Sequence, residues 1–113
     1  MGNIVYFDLE TQKSAAEVGG WGNIDRMGVS VAVLYHSQKA EYEVYLEKDV
    51  DRLISDLRRA DLVVGFNVLR FDYTVLAAYS VFDLSTVPTL DLMVSLEEKI
   101  KHRVGLDAVA EAT

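Results

Sequence analysis

The chain contains no cysteine, one proline, two histidines and no apolar run approaching the length of a membrane span. Without cysteine there is no disulfide framework and no zinc-thiolate site. The same absence agrees with a reducing compartment. No basic stretch followed by an apolar one opens the chain, so a secretory signal is not expected. Met1-Gly2 begins like a myristoylation site, but Tyr6 stands where that motif needs Ser or Thr. These absences lead us to expect a soluble, cytoplasmic protein that does not engage a membrane. Positive charge is also scarce: 11 Lys and Arg face 18 Asp and Glu, for a net charge of −7. Taken alone, that balance disfavours a nucleic-acid partner. An acidic site loaded with divalent cations would reverse the sign locally. Neither a GxGxxG nor a GxxxxGK[ST] phosphate loop is present.

Half of the 113 residues are apolar, enough for the core of one domain spanning 1–113. No internal repeat or low-complexity linker divides it. Residues 3–9 (NIVYFDL) form a β-branched and aromatic run that predicts a buried strand. Residues 12–26, with Gly19, Gly20 and Gly22 around Trp21, predict a long loop. A second strand is expected over 27–35, a turn over 36–39 that includes His36, and a third strand over 40–46. In that third strand Tyr42, Val44 and Leu46 alternate with Glu41, Glu43 and Tyr45. Asp49 is placed to cap a helix on which Val50, Leu53, Ile54 and Leu57 recur at helical spacing. Residues 62–66 predict another buried strand. A helix over 70–81 carries Phe71, Val75, Ala78 and Tyr79 on one face. A short extended TLDL segment follows Pro88, and residues 92–100 and 106–112 read as helical. A hairpin first and a βαβ unit after it imply an α/β fold, with a mixed sheet flanked by helices.

Two segments carry chemistry. In FDLET, residues 7–11, Asp8 and Glu10 are two apart on a strand and point to the same face. Two carboxylates that close repel each other, and a shared Mg²⁺ or Mn²⁺ relieves the repulsion. The alternative is a strand that has already left the core, leaving both acids solvated. In GFNVLRFDY, residues 65–73, a strand ends and a helix begins, with Asp72 in its first turn. An acid there also suits the helix dipole, typically by about 0.3–1 kcal/mol. What adds weight is position. In open α/β sheets functional groups gather where the chain leaves the carboxyl ends of strands, and Asp8, Glu10 and Asp72 can meet at one such end.

FDLET resembles the first motif, D-x-E, of the DEDD or DnaQ-like 3′–5′ exonucleases. Asn67-x-x-x-Phe71-Asp72 is similar to their second motif, N-x-x-x-(F/Y)-D. The pair also looks like the exonuclease domains related to family B DNA polymerases, YprB-like ones included. The two motifs and the strands between them span about three-quarters of the chain. The resemblance implies an RNase H-like fold and two bound Mg²⁺ or Mn²⁺ ions. It gives Asp8 the role of bridging both ions, Glu10 a share in the water-activating one, and Asp72 the other. The implied reaction is hydrolysis of nucleic acid at a single-stranded 3′ end, releasing nucleoside 5′-monophosphates. Thr11, Asn67 and Phe71 stand beside these ligands as candidates for gripping the terminal nucleotide. For Phe71, packing in the core of its helix is the rival role.

The pattern is also broken. The family's third motif, Y-x-x-x-D or H-x-x-x-x-D, supplies a fourth ligand and the general base, and no good match follows residue 91. His102 and Asp107 fit the spacing, but early and with Gly105 between them. A domain truncated before its last helix or helices is therefore expected, inactive by itself. The alternative is a non-catalytic RNase H-like module that binds nucleic acid or a protein beside a helicase or polymerase. Phosphatases of the haloacid dehalogenase type use D-x-D, which Asp8-Leu9-Glu10 does not match. Asp91 in TLDLM either lies near the site or caps the following helix, the second being the favoured reading. Trp21 either stacks on a base or packs its loop onto the core. Lys99, Lys101, His102 and Arg103 form a small basic cluster at a helix end. Nothing in the sequence bears on DNA against RNA, or on oligomeric state.

Overall fold

The computed structural model describes residues 2–100. The helix expected over 106–112, and the His102/Asp107 pair, lie outside the described residues. Five strands form one sheet: β1 (Ile4–Thr11), β2 (Val29–His36), β3 (Glu41–Leu46), β4 (Leu62–Gly65) and β5 (Thr89–Asp91). Their order across the sheet is β3-β2-β1-β4-β5. β1 pairs antiparallel with β2, and β2 with β3. β1 pairs parallel with β4, and β4 with β5. This is the mixed, RNase H-like sheet that the two motifs imply. Among the described residues, no helix is long and apolar enough to cross a membrane.

Helix α1 (Val50–Arg59) links β3 to β4, and α2 (Tyr73–Ala77) follows β4 through a wide turn at Val68–Asp72. Residues 92–100 form a third helix, α3. The apolar stripe Val50, Leu53, Ile54 and Leu57 is buried, as its spacing requires. It packs with Val75 and Leu76 of α2 against Val5, Phe7 and Leu9 of β1. Each such aliphatic side chain contributes roughly 1.5–3 kcal/mol by leaving water. The period of two in β1 then sends Tyr6, Asp8 and Glu10 to the opposite, exposed face.

Four local readings change. His36 is no turn residue: it ends β2 and is 5% exposed, with Nε2 3.1 Å from Glu43 Oε1 and Nδ1 3.5 Å from Asn3 Nδ2. The alternation in β3 is real, but its buried member is Tyr45, whose hydroxyl donates to Asp56 Oδ2 of α1 at 2.6 Å. Tyr42, Val44 and Leu46 face outward. Asp49 does not cap α1 with its side chain; Oδ2 turns back to accept from Leu46 N–H at 3.0 Å. The helix expected over 70–81 is shorter: its first residues belong to the wide turn Val68–Asp72, and α2 runs only over Tyr73–Ala77. The last part of the expected span is spent anchoring Tyr79, whose hydroxyl accepts from Val29 N–H at 2.9 Å and donates to Glu47 at 2.8 Å. Val81 is left fully exposed.

Candidate functional site

β1 and β4 run side by side only from Ile4/Leu62 to Tyr6/Val64. Beyond that pair the strands part, and the chain leaving β4 turns at once into Val68–Asp72, which lies against β1. Gly65 makes the turn possible. A Cβ there would lie 2.9 Å from the Phe7 carbonyl oxygen and closer still to Val68 Cγ1, so no side chain fits. Asn67 next adopts the left-handed conformation, φ 61°, which Asn tolerates better than most residues. The wide turn then brings Asp72 beside β1, within reach of the Leu9 amide. Such π-type turns occur often at functional positions.

Asp72 is 4% exposed, and its Oδ2 is buried with no hydrogen-bond partner. Burial, and then the neighbouring Asp8 carboxylate, push its pKa from 3.8 up to about 8; the backbone amides of Asp72 and Leu9 offset only part of this. A buried carboxylate kept from ionising and facing a second carboxylate is short of positive charge. That is the donor chemistry a hard divalent cation satisfies. Asp8 and Glu10 share the exposed face of β1, Asp8 opposite Val33 and Glu10 opposite Val31. A register shift falls between Glu10 and Thr11, where bulges commonly re-aim side chains.

The remaining predicted residues lie around these acids. Asn67 Oδ1 is also buried and unpartnered. The Thr11 hydroxyl donates to the Lys13 carbonyl at 2.9 Å, which leaves it free to accept. Phe71 is half-buried against the core and meets the Trp21 ring edge-on at 6.3 Å. Trp21 itself is 68% exposed and does not pack its loop onto the core. Ile24 does so instead.

One residue does more than the sequence suggested. Asp91 caps α3 as expected, accepting at Oδ1 from Met93 N–H at 2.9 Å and Val94 N–H at 3.4 Å. It also accepts from Asn67 N–H at 2.8 Å and Leu69 N–H at 3.0 Å. Burial alone would raise its pKa; these four amides outweigh that and hold it low. Asp91 therefore fixes the turn that positions Asp72. The long sequence separation between Asp91 and Asn67 hid that role.

Among the described residues, the group of acids and imidazole whose ligand atoms lie within 4.8 Å of one another is His36, Glu43 and Asp56, not the predicted trio. Its charges are already met. Glu43 pairs with Arg52 and with His36 Nε2, and Asp56 takes Arg59 at 2.5 Å and the Tyr45 hydroxyl. It is an ion-pair network tying β3 to α1. On the face of the sheet away from α1 and α2, an open groove of about 510 Å³ runs past Asp8, walled by Tyr6, Tyr35, Tyr42 and Phe66.

A family model described as the RNase_H superfamily matches residues 5–113. Thirty chains of solved structures are similar to this one. Among them is the family B DNA polymerase of the hyperthermophilic archaeon Pyrobaculum calidifontis, at 19% identity and a TM-score of 0.61. The match covers 87% of this chain but only 16% of that polymerase. No curated protein matches the chain in sequence.

Proposed function

We propose, for a chain that belongs to the RNase H superfamily, that Asp8, Glu10 and Asp72 form the cation-binding part of a 3′–5′ exonuclease-type site for nucleic acid. The observation that carries this reading is Asp72 Oδ2, buried without a partner beside the Asp8 carboxylate. Folding has desolvated an acid and left its charge for something else to complete. When bound, two Mg²⁺ or Mn²⁺ ions supply a water nucleophile at neutral pH and neutralise charge on the leaving oxygen. The protein's own part is positional. Asp91 and Gly65 fix Asp72, the pleat of β1 aligns Asp8 with Glu10, and the buried Asn67 Oδ1 offers an acceptor to the 3′ end. The net charge of −7 does not oppose this, because cations held by the acids would present the positive charge a phosphate needs.

Among the described residues nothing supplies a general base or a fourth acidic ligand at this site, since the Asp91 oxygens are filled by backbone amides. The proposed activity is hydrolysis at single-stranded 3′ ends. The test is stepwise shortening of a 5′-labelled single strand from its 3′ end with Mg²⁺ or Mn²⁺. Chelator and Asp8→Ala are each expected to abolish it; a rate that survives both ends the proposal.

A second reading, a non-catalytic binding module, is favoured by one observation: the three acids do not converge as closely as the His36 group does. Calorimetry separates the readings, because a module has no reason to bind two divalent ions.

A further inference from the structure

A large aromatic side chain held in water by an ordered loop needs a reason, and Trp21 is 68% exposed. Its loop is tied down along its length. Gln12 and Lys13 N–H donate to the carbonyls of Gly28 and Met27 at 3.0 Å, closing its base. Gly20 N–H donates to the Ala15 carbonyl at 2.7 Å, and Asn23 Nδ2 to the Val18 carbonyl at 2.9 Å. Gly19 and Gly20, at φ 92° and 123°, take backbone conformations closed to most residues and begin the short helix Trp21–Arg26. Ile24 anchors that helix to the core while Trp21 stays outside.

The ring is placed against Phe71, centroids 6.3 Å apart and planes at 63°. Phe71 immediately precedes Asp72, and the loop itself begins at the end of β1, directly after Glu10 and Thr11. The exposed indole thus stands over the element that carries one proposed cation ligand, on a loop that springs from the strand carrying the other two. Such a pair can occupy at most one face of the indole, and at 68% exposure the ring stays open to solvent. A planar base whose own phosphate lies at the acids is the ligand that geometry suits, because stacking on an aromatic face is open to every base.

We infer that Trp21, backed by Phe71, is the stacking platform for the base of the terminal nucleotide, and that it reads the base only as a flat ring. The inference rests on the proposed nucleic-acid site and deepens it. It makes the terminal-base contact tolerant of sequence, and it assigns that contact to a loop residue outside both motifs.

Trp21 is the only tryptophan in the chain, so its emission reports the site directly. The full chain is titrated with thymidine 5′-monophosphate and, separately, with 2-deoxyribose 5-phosphate, each with Mg²⁺ present. Quenching by the nucleotide and none by the sugar phosphate is expected. Trp21→Ala is expected to bind a labelled oligothymidylate about tenfold more weakly, with Trp21→Phe recovering most of the loss. Equal quenching by both ligands, or unchanged binding by Trp21→Ala, overturns the inference. Thermal stabilisation by Mg²⁺, measured alongside, isolates the premise. Stabilisation present in wild type and lost in Asp72→Asn, with no base-dependent quenching, removes the Trp21 platform and leaves the cation site standing. Base-dependent quenching without any Mg²⁺ effect keeps the platform and removes the cation site.

Discussion

Replacing Asp72 by Asn removes an acid that the folded protein holds away from water. In the folded state the carboxyl ionises near pH 8 instead of 3.8. An acid with a raised folded pKa supports folding fully below its unfolded pKa, and that support fades as pH rises through the folded value. Every tenfold weakening of the acid corresponds to about 1.4 kcal/mol, so the ceiling on what ionisation costs above pH 8 is roughly 6 kcal/mol. Relaxation and water entry reduce this, and the new amide leaves a buried N–H that costs about 1–3 kcal/mol at every pH. The pH dependence, not the absolute difference, is therefore the readout. Thermal unfolding in chelator should show Asp72→Asn gaining on wild type between about pH 5 and pH 8, by at least 1 kcal/mol, or about 4–8 °C. Saturating Mg²⁺ should then stabilise wild type by about 3 kcal/mol at a hundredfold excess over Kd, and the variant far less. A stability difference that stays constant across this range would refute the account of Asp72 as a desolvated acid. Mg²⁺ acting equally on both proteins would refute its role as a ligand.

Gly65→Ala forces a methyl group into the Phe7 carbonyl and Val68; we expect about 1–3 kcal/mol of destabilisation in a denaturant titration, with weaker Mg²⁺ binding because the Asp72 turn must move. Asp91→Ala strips four backbone N–H groups of their acceptor and should cost about 2–4 kcal/mol in the same assay, the Asn67–Asp72 amides losing hydrogen-exchange protection first. Because the Asp91 pKa is held low, the stability it provides is present above the unfolded pKa of about 3.9 and lost as pH falls through the lower folded value; Asp91→Ala should therefore flatten the acid limb of the stability profile. Tyr45→Phe leaves Asp56 with Arg59 alone and is expected to cost about 1 kcal/mol by thermal melt, without effect on Mg²⁺ binding.

The outline of the candidate site is legible because it depends on local rules. A period of two placed Asp8 and Glu10 together, and the exit of a buried strand placed Asp72 at the sheet's carboxyl end. What escaped were the long-range supports. Nothing near Asp91 in sequence says that its carboxylate reaches back to Asn67 and Leu69, and nothing near Gly65 says that the Phe7 carbonyl lies where a Cβ would go. Apolar spacing continues to Tyr79 and so predicts a longer helix than α2. The structure uses that residue's hydroxyl to tie Val29 to Glu47 rather than its ring to prolong a helix. His36 escapes pattern reading for a similar reason: a polar residue beside Ser37 and Gln38 resembles a turn until Glu43 is found across the hairpin.

β3 shows where pattern reading has its limit. Alternation fixes which residues share a face but not which face is covered. Tyr42, Val44 and Leu46 form the apolar set, yet Tyr45 is buried, because α1 lies on its side and presents Asp56 to its hydroxyl. Arg52 adds to this, its guanidinium lying 4.4 Å from the Tyr45 ring centre. The choice is thus made by α1, whose stripe of Val50, Leu53, Ile54 and Leu57 must cover the side of the sheet that bears Val5, Phe7 and Leu9. Once that side is taken, the pleat commits Tyr6, Asp8 and Glu10 to the other. The burial that builds the core and the exposure that leaves two carboxylates at the end of β1 are therefore one consequence of a single helix's placement. A one-residue slip of β1 would reverse both together.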